Sequence, residues 1–260
     1  MGTKAKKKFS QNFLRDPLVI QKIINFIGLK KDDYVIEIGP GDGSLTLPLL
    51  EFLGKIDAIE IDRDLCKKLK EKCLPYGNLN LFNIDILNFN LSKNKINNKA
   101  LRIVGNLPYN ISTPTLFHLL KFKENIQDMN FMLQKEVVDR IVAKPNTKSY
   151  GRLSVMLQAY CEVQHLFDIS PSAFDPIPKV ESSLVYIKPR KTQKIVIENE
   201  SNFNNLVSAC FSYKRKTLKN NLKGILSEER IRLLGIDPNL RAETLDISDF
   251  IKLTNELKNN

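Results

Sequence analysis

From Tyr34 onward, short apolar runs alternate with stretches whose apolar residues recur every three or four positions, a pattern that restricts the fold to a mainly parallel sheet wrapped by helices. Tyr34-Val-Ile-Glu-Ile38 predicts the first strand, followed by a glycine-opened helix over 44–52 and a second strand over 55–61. Asp64 is the expected cap of a helix that puts Leu65, Leu69 and Cys73 on one face. Strands over 79–84, 101–105 and 129–133 follow, with helices beginning at Ser112 and spanning 135–143. Segments 161–169 and 180–187 predict an antiparallel pair at one sheet edge. The connector 170–179, with three prolines in ten residues, predicts a stiff surface loop outside the ladder. Beyond residue 190 strand signals stop, and helices are expected over 202–226, 228–234 and 248–257, which divides the chain into domains 1–190 and 191–260.

At 260 residues and 42% apolar content the chain can bury one sizeable core and leave a small second domain. A formal charge of +11 points to a polyanionic partner; a general over-use of Lys, Asn and Ile is the plainer reading of the same number. Cys66, Cys73, Cys161 and Cys210 are scattered without metal-ligand spacing, so free thiols and no metal are expected. His118 and His165 sit in apolar sequence surroundings and read as structural. There is no apolar stretch of roughly 18 residues, and the basic start Lys4-Ala-Lys-Lys-Lys8 runs into polar Ser10-Gln11-Asn12; no membrane span or secretory signal is expected, and a cytoplasmic location follows.

The first strand ends in Glu37-Ile-Gly-Pro-Gly-Asp-Gly43, and Ser44, Leu45 and Thr46 stand where a dinucleotide fingerprint needs its third glycine. That spacing argues against a nicotinamide dinucleotide and its pyrophosphate. A tight glycine turn instead lets backbone approach a ligand closely, and Glu37 beside it favours a cationic cofactor, for which S-adenosylmethionine is suited. Glu60 falls at the carboxyl edge of the second strand, where a carboxylate can accept both ribose hydroxyls, and Asp85 lies at the end of the third, available to an adenine amine. Each alone is an ordinary cap or solvated turn; three successive strand ends with fitting groups make the pattern.

The fourth strand ends in Asn106-Leu107-Pro108-Tyr109. An aromatic exocyclic amine is a poor nucleophile because its lone pair is delocalised into the ring, so a catalyst must favour the tetrahedral nitrogen as the methyl arrives. The Asn106 side-chain oxygen and the Leu107 carbonyl, beside rigid Pro108, offer two acceptors for the amine hydrogens, and Tyr109 offers a ring to stack on the base. An isolated Asn-x-Pro-Tyr is more often a plain turn; its place after the glycine motif gives it this reading. A base must leave its stack to reach such a pocket, which favours loop or single-stranded nucleic acid. Lys214, Arg215, Lys219 and Lys223 crowd one expected helix without an acid before Glu228, with 215, 219 and 223 on one face, and read as RNA contacts; a solvated face is the alternative. Lys4, Lys6, Lys7 and Lys8 are either an RNA-holding arm or a solvated start.

Gln11-Asn-Phe-Leu14, Glu37 to Thr46, Glu60-Ile-Asp62, Asn106 to Ser112, Gln134 to Val137, Phe174 to Val180 and Phe211 to Leu218 together resemble the bacterial small-subunit ribosomal RNA adenine dimethyltransferases of the kasugamycin-resistance type, almost from end to end. The resemblance implies an α/β fold of the class I S-adenosylmethionine-dependent methyltransferases, Rossmann-like, with a mostly parallel seven-stranded sheet and a small all-α C-terminal domain. It implies transfer of four methyl groups to the N6 amines of two adjacent adenosines in a hairpin near the 3′ end of 16S rRNA, within the immature 30S subunit, with S-adenosylhomocysteine as product. It maps the cofactor site onto Asn12, Leu14, Gly39, Glu60, Asp85 and Asn106, of which Asn12 and Leu14 are indicated by the resemblance alone. A monomer is the simplest expectation. Two other readings are a large-subunit methyltransferase of the macrolide-resistance type, against which Phe174–Val180 and Phe211–Leu218 speak, and an assembly factor that binds the small subunit with methylation secondary.

Overall fold

The computed structural model describes residues 11–94, 100–108, 110–191 and 196–257. Two compact units emerge: residues 1–138 with 164–189, and residues 139–163 with 190–260. These differ from a single cut at residue 190, because 139–163 groups with the C-terminal helices.

In the first unit β1 (Phe13–Leu14) leads into α1 (Pro17–Ile27), whose first turn is capped by the Asp16 carboxylate accepting from Leu18 and Val19 N–H. There follow β2 (Tyr34–Ile38), α2 (Thr46–Leu53), β3 (Lys55–Ile59), α3 (Arg63–Cys73), β4 (Asn78–Phe82), β5 (Leu101–Asn106), α4 (Ser112–Leu120), β6 (Ile126–Gln134) and the start of α5 (Lys135–Val142). The cap of α3 is Asp62, which accepts from Asp64 N–H, and not Asp64 itself. The chain passes through α6 (Arg152–Tyr160) and β7 (Cys161–Ile169), then β8 (Phe174–Asp175) and β9 (Ser182–Pro189).

The seven-stranded sheet runs β4-β3-β2-β5-β6-β9-β7. The pairs β3–β4, β2–β3, β2–β5 and β5–β6 are parallel, and β9 is antiparallel to β6. Both faces of the central strands are covered, so Val35, Ile36, Ile56, Ile103, Val104 and Phe131 are fully buried. The order reverses at β2: the chain builds outward through β3 and β4, then returns to lay β5 on the other side. Sheets of this kind leave a crevice at that switch, outside the carboxyl ends of the strands. One expectation fails beside it. Phe174–Asp175 is not loop but pairs antiparallel with Phe13–Leu14 in a small separate ladder. Of its three prolines, Pro171 opens a 3₁₀ turn ahead of the paired residues, and Pro176 and Pro178 come after them, where no ladder donor is needed.

At the opposite end of β5, Arg102 is 6% exposed and ion-paired with Asp33 at 2.6 Å and Asp128 at 3.0 Å, while it donates to the carbonyls of Ile27 and Gly28. The guanidinium thus ties the last turn of α1 to β5 and β6.

In the second unit α6 packs with α7 (Glu200–Cys210) and α10 (Ile247–Glu256) around Phe203, Leu206 and Phe250, and α8 (Leu218–Asn221) and α9 (Glu228–Leu233) complete it. The long helix expected over 202–226 is broken: residues 211–217 form turns, in which the Asn221 side chain donates to the carbonyls of Cys210 and Tyr213. A short polar side chain competing for backbone carbonyls is the reason helical periodicity alone misleads here.

Removing one member of a buried ion pair strands its partners, at a cost of roughly 3–5 kcal/mol. Arg102→Ala is therefore expected to lower the unfolding free energy by about that amount, measured by urea titration; a loss below about 1 kcal/mol would show the network to be dispensable.

Candidate active site

The crevice at the switch holds a cavity of about 230 Å³, against the ~10–15 Å³ that one water occupies. It is lined by the ends of β2, β3, β5 and β6, by residues 84–86 and by Gln11–Leu14. Asn12, Leu14, Gly39, Glu60, Asp85 and Asn106, the expected cofactor residues, all lie in its wall, as do Leu107 and Pro108. Tyr109 and Lys4–Lys8 lie outside the described residues.

Two glycines make the geometry possible. Gly39 has φ +68°, a conformation that side chains disfavour, and turns the chain away at the end of β2. Gly105 lies beside Ile38 so closely that an added Cβ would stand 2.3 Å from the Ile38 carbonyl oxygen. In the sequence the only signal for Gly105 is a glycine one residue before a strand end, where a neighbouring backbone approaches.

Asn106, the last residue of β5, donates from Nδ2 to the Asn12 carbonyl at 3.0 Å. The nitrogen of the amide is therefore engaged, and the oxygen is the end left for a ligand. Leu107 N–H donates to Met132 O at 3.2 Å, which holds the tetrapeptide to β6. The Pro108 carbonyl accepts from Ile111 N–H and Ser112 Oγ, so it is used up inside the protein. Among the described residues no hydrogen bond is made to the Leu107 carbonyl.

The acids are graded by burial. Glu37, 2% exposed, accepts from Thr46 Oγ1 at 2.7 Å; burial, with Glu60 and Asp42 adding repulsion, pushes its carboxyl up to about 8. Glu60, 6% exposed, accepts from Asp62 N–H at 2.9 Å and Gly41 N–H at 3.2 Å, one on each oxygen. Burial raises its pKa and these two bonds oppose the rise. A carboxylate offers about four lone-pair sites, so Glu60 retains acceptor capacity for a ligand hydroxyl. Asp85 caps the 3₁₀ turn Ile86–Asn88 through Leu87 N–H while still lining the cavity, so the plain reading and the functional one describe the same residue. Among the described residues the lining contains Glu37, Asp42, Glu60 and Asp85 and no lysine or arginine. Such a wall fits a cofactor that carries positive charge and no phosphate, as S-adenosylmethionine does.

The basic residues fare differently. Arg215 lies in the turns before α8 and Lys223 follows it, so 215, 219 and 223 do not share one helix face. Lys219 stands 3.6 Å from Glu228. These cations therefore do not repel one another along a single helix face. His118 Nε2 lies 2.9 Å from the Phe89 carbonyl, a structural contact. His165, expected among apolar neighbours, is 2.7 Å from Asp168, beside Lys135 and Ser183. The four cysteines are free and buried, no metal-holding cluster exists among the described residues, and no described helix is long and apolar enough to cross a membrane.

The profile described as "Ribosomal RNA adenine dimethylase" matches residues 2–259. The chain belongs to the ribosomal RNA adenine dimethylase family. Within it, "Ribosomal RNA small subunit methyltransferase A" of Nitrosococcus oceani is 50% identical over 254 residues, 98% of this chain and 96% of that protein. The protein of the same name from Legionella pneumophila strain Lens is 48% identical, covering 98% of both chains. A dimethyladenosine transferase from Plasmodium falciparum superimposes with a TM-score of 0.80 at 28% identity, over 95% of this chain and 98% of that one. The 23S rRNA methyltransferase ErmE, at 24% identity, TM-score 0.69 and coverage of 95% and 100%, shares the fold. The cofactor of this dimethylase is S-adenosylmethionine, its substrate is ribosomal RNA, and its fold is that of the class I methyltransferases.

Glu60→Ala is expected to weaken S-adenosylmethionine binding by roughly ten- to a hundredfold, the worth of charge-assisted hydrogen bonds. Calorimetric titration reads this directly, and unchanged affinity would remove Glu60 from the site. Because the Glu37 pKa rises from 4.5 to about 8 on folding, the folded cofactor-free protein binds more protons than the unfolded chain between those values, and stability falls as pH rises through that window. Thermal melts across it should flatten in Glu37→Gln, and an unaltered pH slope would show that Glu37 is ionised throughout.

Proposed function

We propose that this dimethylase transfers methyl groups to the N6 amines of two adjacent adenosines in a hairpin near the 3′ end of 16S rRNA, acting as a cytoplasmic monomer on the immature 30S subunit. The observation that carries the chemistry is the polarity of Asn106: its nitrogen is spent on Asn12 O, so its oxygen is the acceptor offered to an incoming amine.

The cofactor supplies a methyl already activated on a sulfonium, so no metal or covalent nucleophile is needed from the protein. Asn106 Oδ1 and the Leu107 carbonyl accept the two amine hydrogens in a pyramidal arrangement. That arrangement suits the nitrogen as it turns tetrahedral better than the flat ground state, which makes the two acceptors selective for the transition state. Pro108 keeps the Leu107 carbonyl in place, and Tyr109 stacks on the base. The target base must swing out of its stack, which a hairpin loop allows at low cost.

The relatives' shared name supports the small subunit over a large-subunit target. The net charge of +11 supports contact with RNA phosphates. Lys214, Arg215, Lys219 and Lys223 are proposed among those contacts as a cluster around a turn, with Lys219 exchanging Glu228 for a phosphate.

Labelled S-adenosylmethionine incubated with the protein and 30S particles from cells lacking it should label two neighbouring adenosines, mapped by primer extension; particles that gain no label would overturn the reading. Asn106→Ala should cut the single-turnover rate by about a hundredfold or more, the cost of losing one preorganised transition-state partner. An undiminished rate would remove Asn106 from the chemistry.

A further inference from the structure

The acids of the cavity are unequally supplied with hydrogen-bond donors. A buried carboxylate stays ionised when such donors replace the water it has lost, and otherwise takes up a proton. Glu60 has two backbone N–H groups, from Asp62 and Gly41, one on each oxygen. Asp42 accepts from Ser44 Oγ and pairs with Arg15, and half-buried Asp85 accepts from Leu87 N–H. Glu37 is the most buried of the four, and among the described residues its one donor is the Thr46 hydroxyl.

The groups that face Glu37 bring it no positive charge. In the sheet it pairs with Ala58 of β3 and Val104 of β5, which are apolar. From α2 comes the uncharged Thr46 hydroxyl, which favours ionisation but does not offset burial. From α3 comes the thiol of Cys73, pushed up to about 11 by its own burial and so uncharged. The end of β3 and the glycine turn contribute Glu60 and Asp42, which repel a further negative charge. A cation inside the cavity is therefore what would let Glu37 ionise.

S-adenosylmethionine carries such a cation and S-adenosylhomocysteine does not. The two share adenosine, ammonium and carboxylate, and differ by one methyl and the positive charge on sulfur. We propose that Glu37 is a neutral acid in the free cavity and surrenders its proton to solvent when S-adenosylmethionine binds, which makes it the residue that tells donor from spent product. The only bond that changes is the O–H bond of the carboxyl, and the proton goes to water or buffer. With donor bound, the carboxylate is compensated by the sulfonium. Once the methyl has left, sulfur is neutral, the carboxylate is again uncompensated, and a proton from solvent restores the acid. The product then loses a charge pairing that the donor enjoys. A dimethylase must exchange product for donor between its two transfers, and this difference favours the exchange. The inference needs the cofactor in this cavity, but not the RNA target proposed above.

The test is calorimetric titration of the full chain, without RNA, at pH 7 in phosphate and in Tris buffer, whose different ionisation enthalpies reveal the protons exchanged per ligand bound. The wild type should release close to one proton more with S-adenosylmethionine than with S-adenosylhomocysteine, and Glu37→Gln should lose that difference. Affinity gives a second reading. Because the free carboxyl holds its proton up to about pH 8, expelling it costs less as pH rises, and donor affinity should increase about tenfold from pH 6 to pH 7, while product affinity stays flat. Equal proton counts for the two ligands in the wild type, or donor affinity indifferent to pH, would overturn the proposal, and neither measurement depends on the variant folding. A donor–product difference that persists in Glu37→Gln would assign the proton to another group and overturn it as well. No methyl is transferred in these titrations, so their outcome leaves the RNA target to be judged separately.

Discussion

The contact between β2 and β5 at Gly105 governs the site. Two parallel strands distant in sequence approach until no Cβ fits between them, with Gly105 against the Ile38 carbonyl. That approach brings Asn106 beside the turn at Gly39, whose missing Cβ would lie 3.5 Å from the Asn106 carbonyl oxygen. A larger residue at 105 would force the strands apart at the level where cofactor and base must meet. The end of β5 at Asn106 and the glycine turn at Gly39 are thus one feature, held by backbone proximity.

On that frame the electrostatics follow from burial. Carboxyl groups at successive strand ends converge on a cavity with no cation among the described residues of its lining. The deepest, Glu37, keeps its proton near neutrality, while Glu60 is held by two backbone N–H groups and retains lone pairs for a ligand. A positively charged guest relieves the repulsion among these groups, whereas an anionic one would add to it. The far end of the same strands answers a different need. There Arg102 neutralises Asp33 and Asp128 and satisfies the last carbonyls of α1, with no opening to the cavity.

Much of this was legible in the chain, and the failures have identifiable physical causes. Tyr34–Ile38, Lys55–Ile59 and Leu101–Asn106 announced themselves as strands because both faces of a parallel sheet are buried and leave short, mostly apolar runs. Asp62, and not the expected Asp64, caps α3, since two acids in one turn look alike until the first helical N–H is located. The helix expected over 202–226 dissolved at 211–217 because Asn221 folds back onto backbone carbonyls that a helix would have used. Phe174–Asp175 found Phe13–Leu14 across most of the chain. Pattern within a window carries no information about such partners.

By itself, then, the order of residues determined the alternation of strands and helices, the glycine turn, the acidic strand ends and the presence of an amide next to a proline. These are local properties, set by side-chain period, backbone freedom and the chemistry of each group. Only the tertiary structure decided that Asn12 would reach Asn106 and thereby choose which end of its amide faces the cavity, and that 139–163 would group with the C-terminal helices. Those outcomes depend on which distant segments share space, and a hydrogen bond between residues 94 positions apart leaves no periodic trace along the chain.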